Sequence, residues 1–230
     1  MSKLVIGFSI LVLLLSACAS QPPTDLPTID IEQPGKPDPV EEAVITQLAG
    51  NLGLDESDIT VVSNESAEFK DACLGVAMDD VMCAQIVTPG YIVILEANGF
   101  QYEYHANEDG SMIQPATLAL TWRREGGIAG FCDSLTVFLS GEVYGNQCKS
   151  QPSGTMDTFA NLLSQSEYEQ FNGWIARYGQ SVLDESDPKG VPDGMINIIE
   201  LYGNGKRKPG KPVETEIFTW AGNLFQKLYS

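Results

Sequence analysis

Apolar positions along the chain change period three times, and each change marks an element. From Leu4 to Leu15 the run is almost continuously apolar for twelve residues, too short for the roughly 17 to 25 residues that span a bilayer. After a stretch without periodicity, Val40, Ala43, Val44, Leu48 and Leu52 recur at helical spacing behind Asp38-Pro39-x-Glu41, which predicts a helix from Pro39 to about Leu52. Strand-like segments follow at Ile59 to Val62, Ala84 to Thr88 up to a Pro89-Gly90 turn, Tyr91 to Ala97 and Phe100 to His105. The last two are joined by Asn98-Gly99, a dipeptide suited to the positive φ angles of a tight hairpin. Phe100, Tyr102 and Tyr104 alternate with Gln101, Glu103 and His105, so the aromatics are expected in the core and His105 in solvent.

A second set of elements starts near Ala116. Leu118, Leu120 and Trp122 alternate as a half-buried strand, and Leu135 to Leu139 with Glu142 to Tyr144 reads as a hairpin around Ser140-Gly141. Ser166-x-x-Glu169 has the form of a capping box before Tyr168, Phe171, Trp174, Ile175 and Tyr178. Met195 to Tyr202 reads as a strand after Asp193-Gly194, and Ile217, Trp220, Ala221, Leu224, Phe225 and Leu228 form the apolar stripe of a closing helix. The expected fold class is α+β: two small domains, 39–114 and 115–230, each with helix packed on antiparallel sheet.

The N-terminal run changes this picture by setting the compartment. It follows Lys3 and ends in Leu15-Ser16-Ala17-Cys18, which resembles the lipobox of bacterial lipoproteins. That resemblance implies a signal peptide over 1–17, acylation of Cys18, and lipid anchoring to the bacterial cell membrane or outer membrane on the side away from the cytoplasm. Six prolines between Ala19 and Pro39 make 18–38 an extended tether. In an exported, oxidising compartment the four remaining cysteines are expected as disulfides; of three connectivities the local one pairs Cys73 with Cys83 and Cys132 with Cys148.

Charge narrows the function classes. The chain carries 13 Lys plus Arg against 31 Asp plus Glu, and removal of Lys3 with the signal leaves 12 against 31, a net charge of −19. Such a chain is a poor binder of phosphate backbones, so no nucleic acid is expected, and the membrane must be held through lipid. One histidine supports neither a multi-imidazole zinc site nor a catalytic triad, and neither enzyme activity nor cofactor nor metal is expected. Asp184, Asp187 and Asp193 lack the alternate spacing and closing Glu of a calcium loop. Lys206, Arg207, Lys208 and Lys211 gather four cations in one segment: either a solvated hairpin tip or a contact for anionic headgroups or an acidic partner.

Two further resemblances concern the domains. Cys73-Leu74-Gly75, Cys83, Thr88-Pro89-Gly90-Tyr91 and Tyr102-x-Tyr104-His105 look like a module of uncharacterised exported bacterial proteins, which implies no activity. Arg124-x-Gly126-Gly127-Ile128-Ala129-Gly130-Phe131, followed by a hairpin, a helix, Pro192-Asp193-Gly194 before a strand, and a closing helix, resembles emfourin, a family of protein inhibitors of thermolysin-like metalloproteases, over about residues 116–230. The resemblance implies that a secreted or envelope metalloprotease is the partner. It makes Glu125, Gly126, Gly127, Ile128, Ala129, Gly130 and Phe131 the contact segment. On this reading the segment's extended backbone pairs with the cleft edge, Ile128 or Phe131 fills an apolar pocket, and Glu125 or Asp133 approaches the metal. Read from the residues alone, the three glycines serve a bulged turn or a partner-binding loop, and the alternative function is an envelope binding or scaffold lipoprotein without inhibitory activity.

Overall fold

Helix α1 (Pro39–Leu52) starts where the sequence places it: the Asp38 carboxylate accepts from the Val40 N–H at 2.9 Å, and Gly53, with φ 65°, ends the helix in the left-handed conformation that a Cβ disfavours. In this computed structural model, which describes residues 38–76, 81–147 and 157–229, a 3-10 turn (Glu56–Asp58) then leads into β1 (Thr60–Phe69), β2 (Thr88–Ala97), β3 (Phe100–Asn107) and β4 (Ile113–Pro115). These four form an antiparallel sheet in sequence order, and Val44, Leu48 and Leu52 of α1 are buried in the core together with Val93, Leu95, Tyr102 and Tyr104. Asn98 and Gly99 both have positive φ, 53° and 78°, as the hairpin requires.

Two expectations in this sheet are corrected. Pro89-Gly90 is no turn but part of β2, where Gly90 pairs with Ala67 and Asn107; a Cβ there would fall 2.0 Å from the Ala106 carbonyl oxygen, so the glycine serves a close strand approach. Ala84 to Ile86 is not a strand, because the Cys73–Cys83 bridge draws this stretch into the β1–β2 connection, with the Ala72 N–H donating to the Ala84 carbonyl at 2.9 Å.

The second sheet contains β5 (Leu118–Gly126), β6 (Phe131–Phe138), β7 (Glu142–Gln147), β8 (Asp157–Leu162), β9 (Gly179–Asp184) and β10 (Met195–Asn204), in the antiparallel order β8-β7-β6-β5-β10-β9. Helix α2 (Gln165–Arg177) precedes β9, and α3 (Lys211–Leu228) closes the chain. Trp122, Leu135, Val137, Ile199 and Leu201 alternate onto one face, which α3 covers: Phe225 meets Trp122 edge-on at 5.3 Å, and Gly145 leaves room for Leu228. Trp220 of α3 stacks on Phe171 and meets Trp174 edge-on, joining α2 to α3. The capping box lies two residues earlier than expected: the Glu167 carboxylate accepts the Ser164 backbone N–H at 2.8 Å and its hydroxyl at 2.6 Å.

The architecture is α+β. The expected boundary near residue 115 falls between β4 and β5, yet Pro37–Ser230 forms one compact unit whose apolar core runs across it. A polar seam accompanies the core. Glu142 of β7 accepts from Gln47 and Asn51 of α1 and from Tyr104 of β3, and the Tyr102 and Tyr168 hydroxyls meet at 3.2 Å.

Candidate interaction site

The expected contact segment is the tip of the β5–β6 hairpin. Pairing runs in register to Gly126 opposite Phe131, and residues 127–130 turn the chain, with the Gly130 N–H donating to the Gly127 carbonyl at 2.8 Å. Gly126, Gly127 and Gly130 all have positive φ (81°, 70° and 62°), and a Cβ on Gly126 would lie 2.6 Å from the Gly194 carbonyl oxygen of the neighbouring connection. The glycines therefore make a tight turn against a second loop, so residues 127–130 do not offer extended backbone for pairing with a cleft edge.

Below the tip, strand alternation puts Trp122, Arg124, Phe131 and Asp133 on one face. Arg124 Nε donates to Asp133 Oδ2 at 3.0 Å, while its guanidinium lies 4.0 Å from the Phe131 ring centroid and 5.2 Å from that of Trp122. Trp122 Nε1 donates to Asn197 Oδ1 at 2.8 Å, and the same indole packs on Phe225, so a continuous stack ties the tip to α3. Asp133 is only 1 % exposed and already paired, which removes it from any approach to a partner's metal. Glu125 remains partly exposed beside Arg123, at 3.2 Å. Phe131 is half-buried under Arg124, whereas Ile128 is 98 % exposed and is the apolar side chain that the tip presents. Ala129 is also exposed at the turn.

The other expected sites fall as follows. Cys73 and Cys83 form a disulfide with Cα atoms 5.6 Å apart. Asp71, the carboxylate nearest to this pair, accepts the Cys73 and Gly75 N–H groups, so the three are a staple and a turn rather than metal ligands. Cys132 is disulfide-bonded; Cys148, its expected partner, and Cys18, the expected lipidation site, lie outside the described residues. His105 does not point to solvent. Its ring is 12 % exposed, stacks on Phe69 at 4.9 Å, and bonds to the Leu74 carbonyl and to Glu103, because the stapled β1–β2 connection covers that face of the sheet. Asp184 and Asp187 accept backbone N–H groups of Ser186 and Met195 within the β9–β10 connection.

Alternation along β5 carries the signal that Trp122 and Arg124 share a face, but their partners come from β6, β10 and α3, and only the register shows which of them meet. A family model described as a domain of unknown function (DUF8738) matches residues 41–115, which span most of α1 and the whole first sheet. Nothing matches among the curated proteins or among the solved structures.

Proposed function

We propose that this chain is an exported lipoprotein, anchored through Cys18, that uses the 126–131 hairpin tip to bind and inhibit a thermolysin-like metalloprotease. One observation carries the reading: Ile128, fully in water, stands on a turn whose base is fixed by the Trp122–Arg124–Phe131 stack. A β-branched side chain on a restrained turn loses little entropy on docking, and its burial in an apolar pocket supplies the gain. The resemblance of 116–230 to emfourin supplies the target class. The tip acts as a wedge, with Ile128 as the anchor and Glu125 at its rim.

The test is an inhibition assay with the full chain against several thermolysin-like enzymes. Ile128→Ala is expected to fold normally, since the side chain touches solvent, and to weaken inhibition about 10-fold or more, the equivalent of losing most of a buried aliphatic side chain. Equal inhibition by the variant sinks the role of the tip. No inhibition at micromolar concentration by either protein sinks the protease target and leaves an envelope-binding lipoprotein.

A further inference from the structure

Opposite the hairpin tip, at the far end of β10, the fold adds Arg177 of α2 to the consecutive cations Lys206, Arg207 and Lys208. Gly203 and Gly205 permit it: a Cβ on Gly203 would fall 2.1 Å from the Tyr178 carbonyl oxygen, and one on Gly205 2.1 Å from the carbonyl of Arg177. Main chain therefore presses on main chain, with the Gly205 N–H donating to the Tyr178 carbonyl at 2.8 Å and the Gly179 N–H to the Arg207 carbonyl at 2.9 Å. Arg177, at the end of α2, is thereby brought beside Lys206 and Arg207 around an open depression of about 560 Å³, floored by Gly173 and Ala176, and Lys208 follows next in the chain. Lys211, which the sequence groups with these cations, is engaged elsewhere, by Glu185 and Glu214.

Arg123, Arg124, Lys211 and Lys227 each hold a carboxylate, whereas Arg177, Lys206, Arg207 and Lys208, like the isolated Lys70 and Lys189, hold none among the described residues; only in the cluster are such cations grouped, in a chain with 31 acids. These four exposed cations, on main chain held by the Gly203 and Gly205 contacts, leave a positive face that can take up an anion from outside. The depression is shallow and small-residue-floored, so it cannot enclose a small molecule, which a ligand pocket would bury over most of its surface. It suits an extended array of phosphates, with the two guanidiniums forming forks to phosphate oxygens.

We propose that Arg177, Lys206, Arg207 and Lys208 form a docking face for an anionic phospholipid surface. The face lies one strand length from the tip, about 30 Å for the ten residues of β10, so docking points Ile128 away from the bilayer. The rest of the chain, net acidic, is repelled by the same surface, which makes the orientation unique. This face goes beyond the proposed inhibition and does not depend on it.

Site-resolved lysine acetylation of the full chain, followed by mass spectrometry, tests the face on phosphatidylglycerol-containing and on pure phosphatidylcholine vesicles. Acetylation of Lys206 and Lys208 is expected to slow about fivefold or more on the anionic vesicles, corresponding to the attraction of one cation to such a surface, and to recover in high salt. Lys70 and Lys189, exposed outside the cluster, serve as internal references. Arg177→Glu and, separately, Arg207→Glu are expected to abolish the protection. Equal rates on both vesicles, protection that survives both variants, or equal protection by millimolar inorganic phosphate on phosphatidylcholine each overturn the proposal. Co-flotation with phosphatidylcholine vesicles reports the lipid anchor separately.

Discussion

Replacing Arg124 by methionine leaves the Asp133 carboxylate buried without its cation and strips the cover from the Phe131 ring. Arg124→Met is therefore expected to lower the stability by about 3 kcal/mol in urea unfolding, and adding Asp133→Asn to recover most of that loss, since an uncompensated buried charge costs more than the pair contributes. An equal loss in the double variant would assign the effect to packing over Phe131 alone. At this scale the sequence was partly readable. Tyr102 and Tyr104 alternate into the core as the pattern demands. His105 broke the rule because strand alternation only separates two faces, and whether the second face is wet depends on a connection of 18 residues, between Phe69 and Thr88, whose path nothing local encodes.

The Cys73–Cys83 bridge holds that connection over β3, where the Leu74 carbonyl oxygen meets His105 Nδ1 at 2.6 Å. Closing a loop of this size removes about 3 kcal/mol of denatured-state freedom in the entropic account. The paired variant Cys73→Ser with Cys83→Ser is expected to lose about that much stability and to render His105 accessible, read by its histidine proton resonances; an unchanged urea midpoint would show that the connection is held by packing alone. Elements with a strong period, α1 and the Asn98-Gly99 hairpin, were legible to within a residue or two, and the stripe from Ile217 to Leu228 marked α3 but not its first turn at Lys211. Strands β8 and β9 were not. Asp157 to Leu162 has no apolar alternation, and in Gly179 to Asp184 the apolar residues, Val182 and Leu183, are adjacent, so pairing with β7 and β10 rather than local pattern makes them strands.

Across the whole molecule, tyrosines join the first sheet to the second set of elements, Tyr104 through Glu142 of β7 and Tyr102 through Tyr168 of α2. Burial foremost, with the Glu142 charge adding for Tyr104 and Tyr168 and the hydrogen bond to Tyr102 for Tyr168, holds the Tyr102, Tyr104 and Tyr168 phenols above their ordinary value of 10.0. The unfolded chain then releases these protons first, so the stability they confer is full below about pH 10 and falls as pH rises further, by up to about 1.4 kcal/mol per pH unit for each phenol. At about pH 11, urea unfolding is expected at a lower midpoint than at pH 8, with tyrosinate absorbance and tryptophan fluorescence changing together. All three tryptophans lie in the second half, whereas Tyr102 and Tyr104 lie in the first sheet; two separate midpoints would mean that the shared core does not couple them. The boundary near residue 115 was visible in the sequence as a change of pattern. The shared core was not, because Glu142, Asn51 and Tyr104 carry no mark of one another. The strand order has a consequence for synthesis. Trp122 of β5 and its partner Asn197 of β10 are 75 residues apart, so as the chain emerges from its N-terminus β5 stays an open edge until β10 arrives. During that interval its unpaired amides and alternating Leu120 and Trp122 are a template for another copy of the chain. A fragment that ends between β6 and Met195 makes the interval permanent, and it is expected to associate through the strand that in the finished protein lies at the sheet's centre, read by light scattering against the full chain.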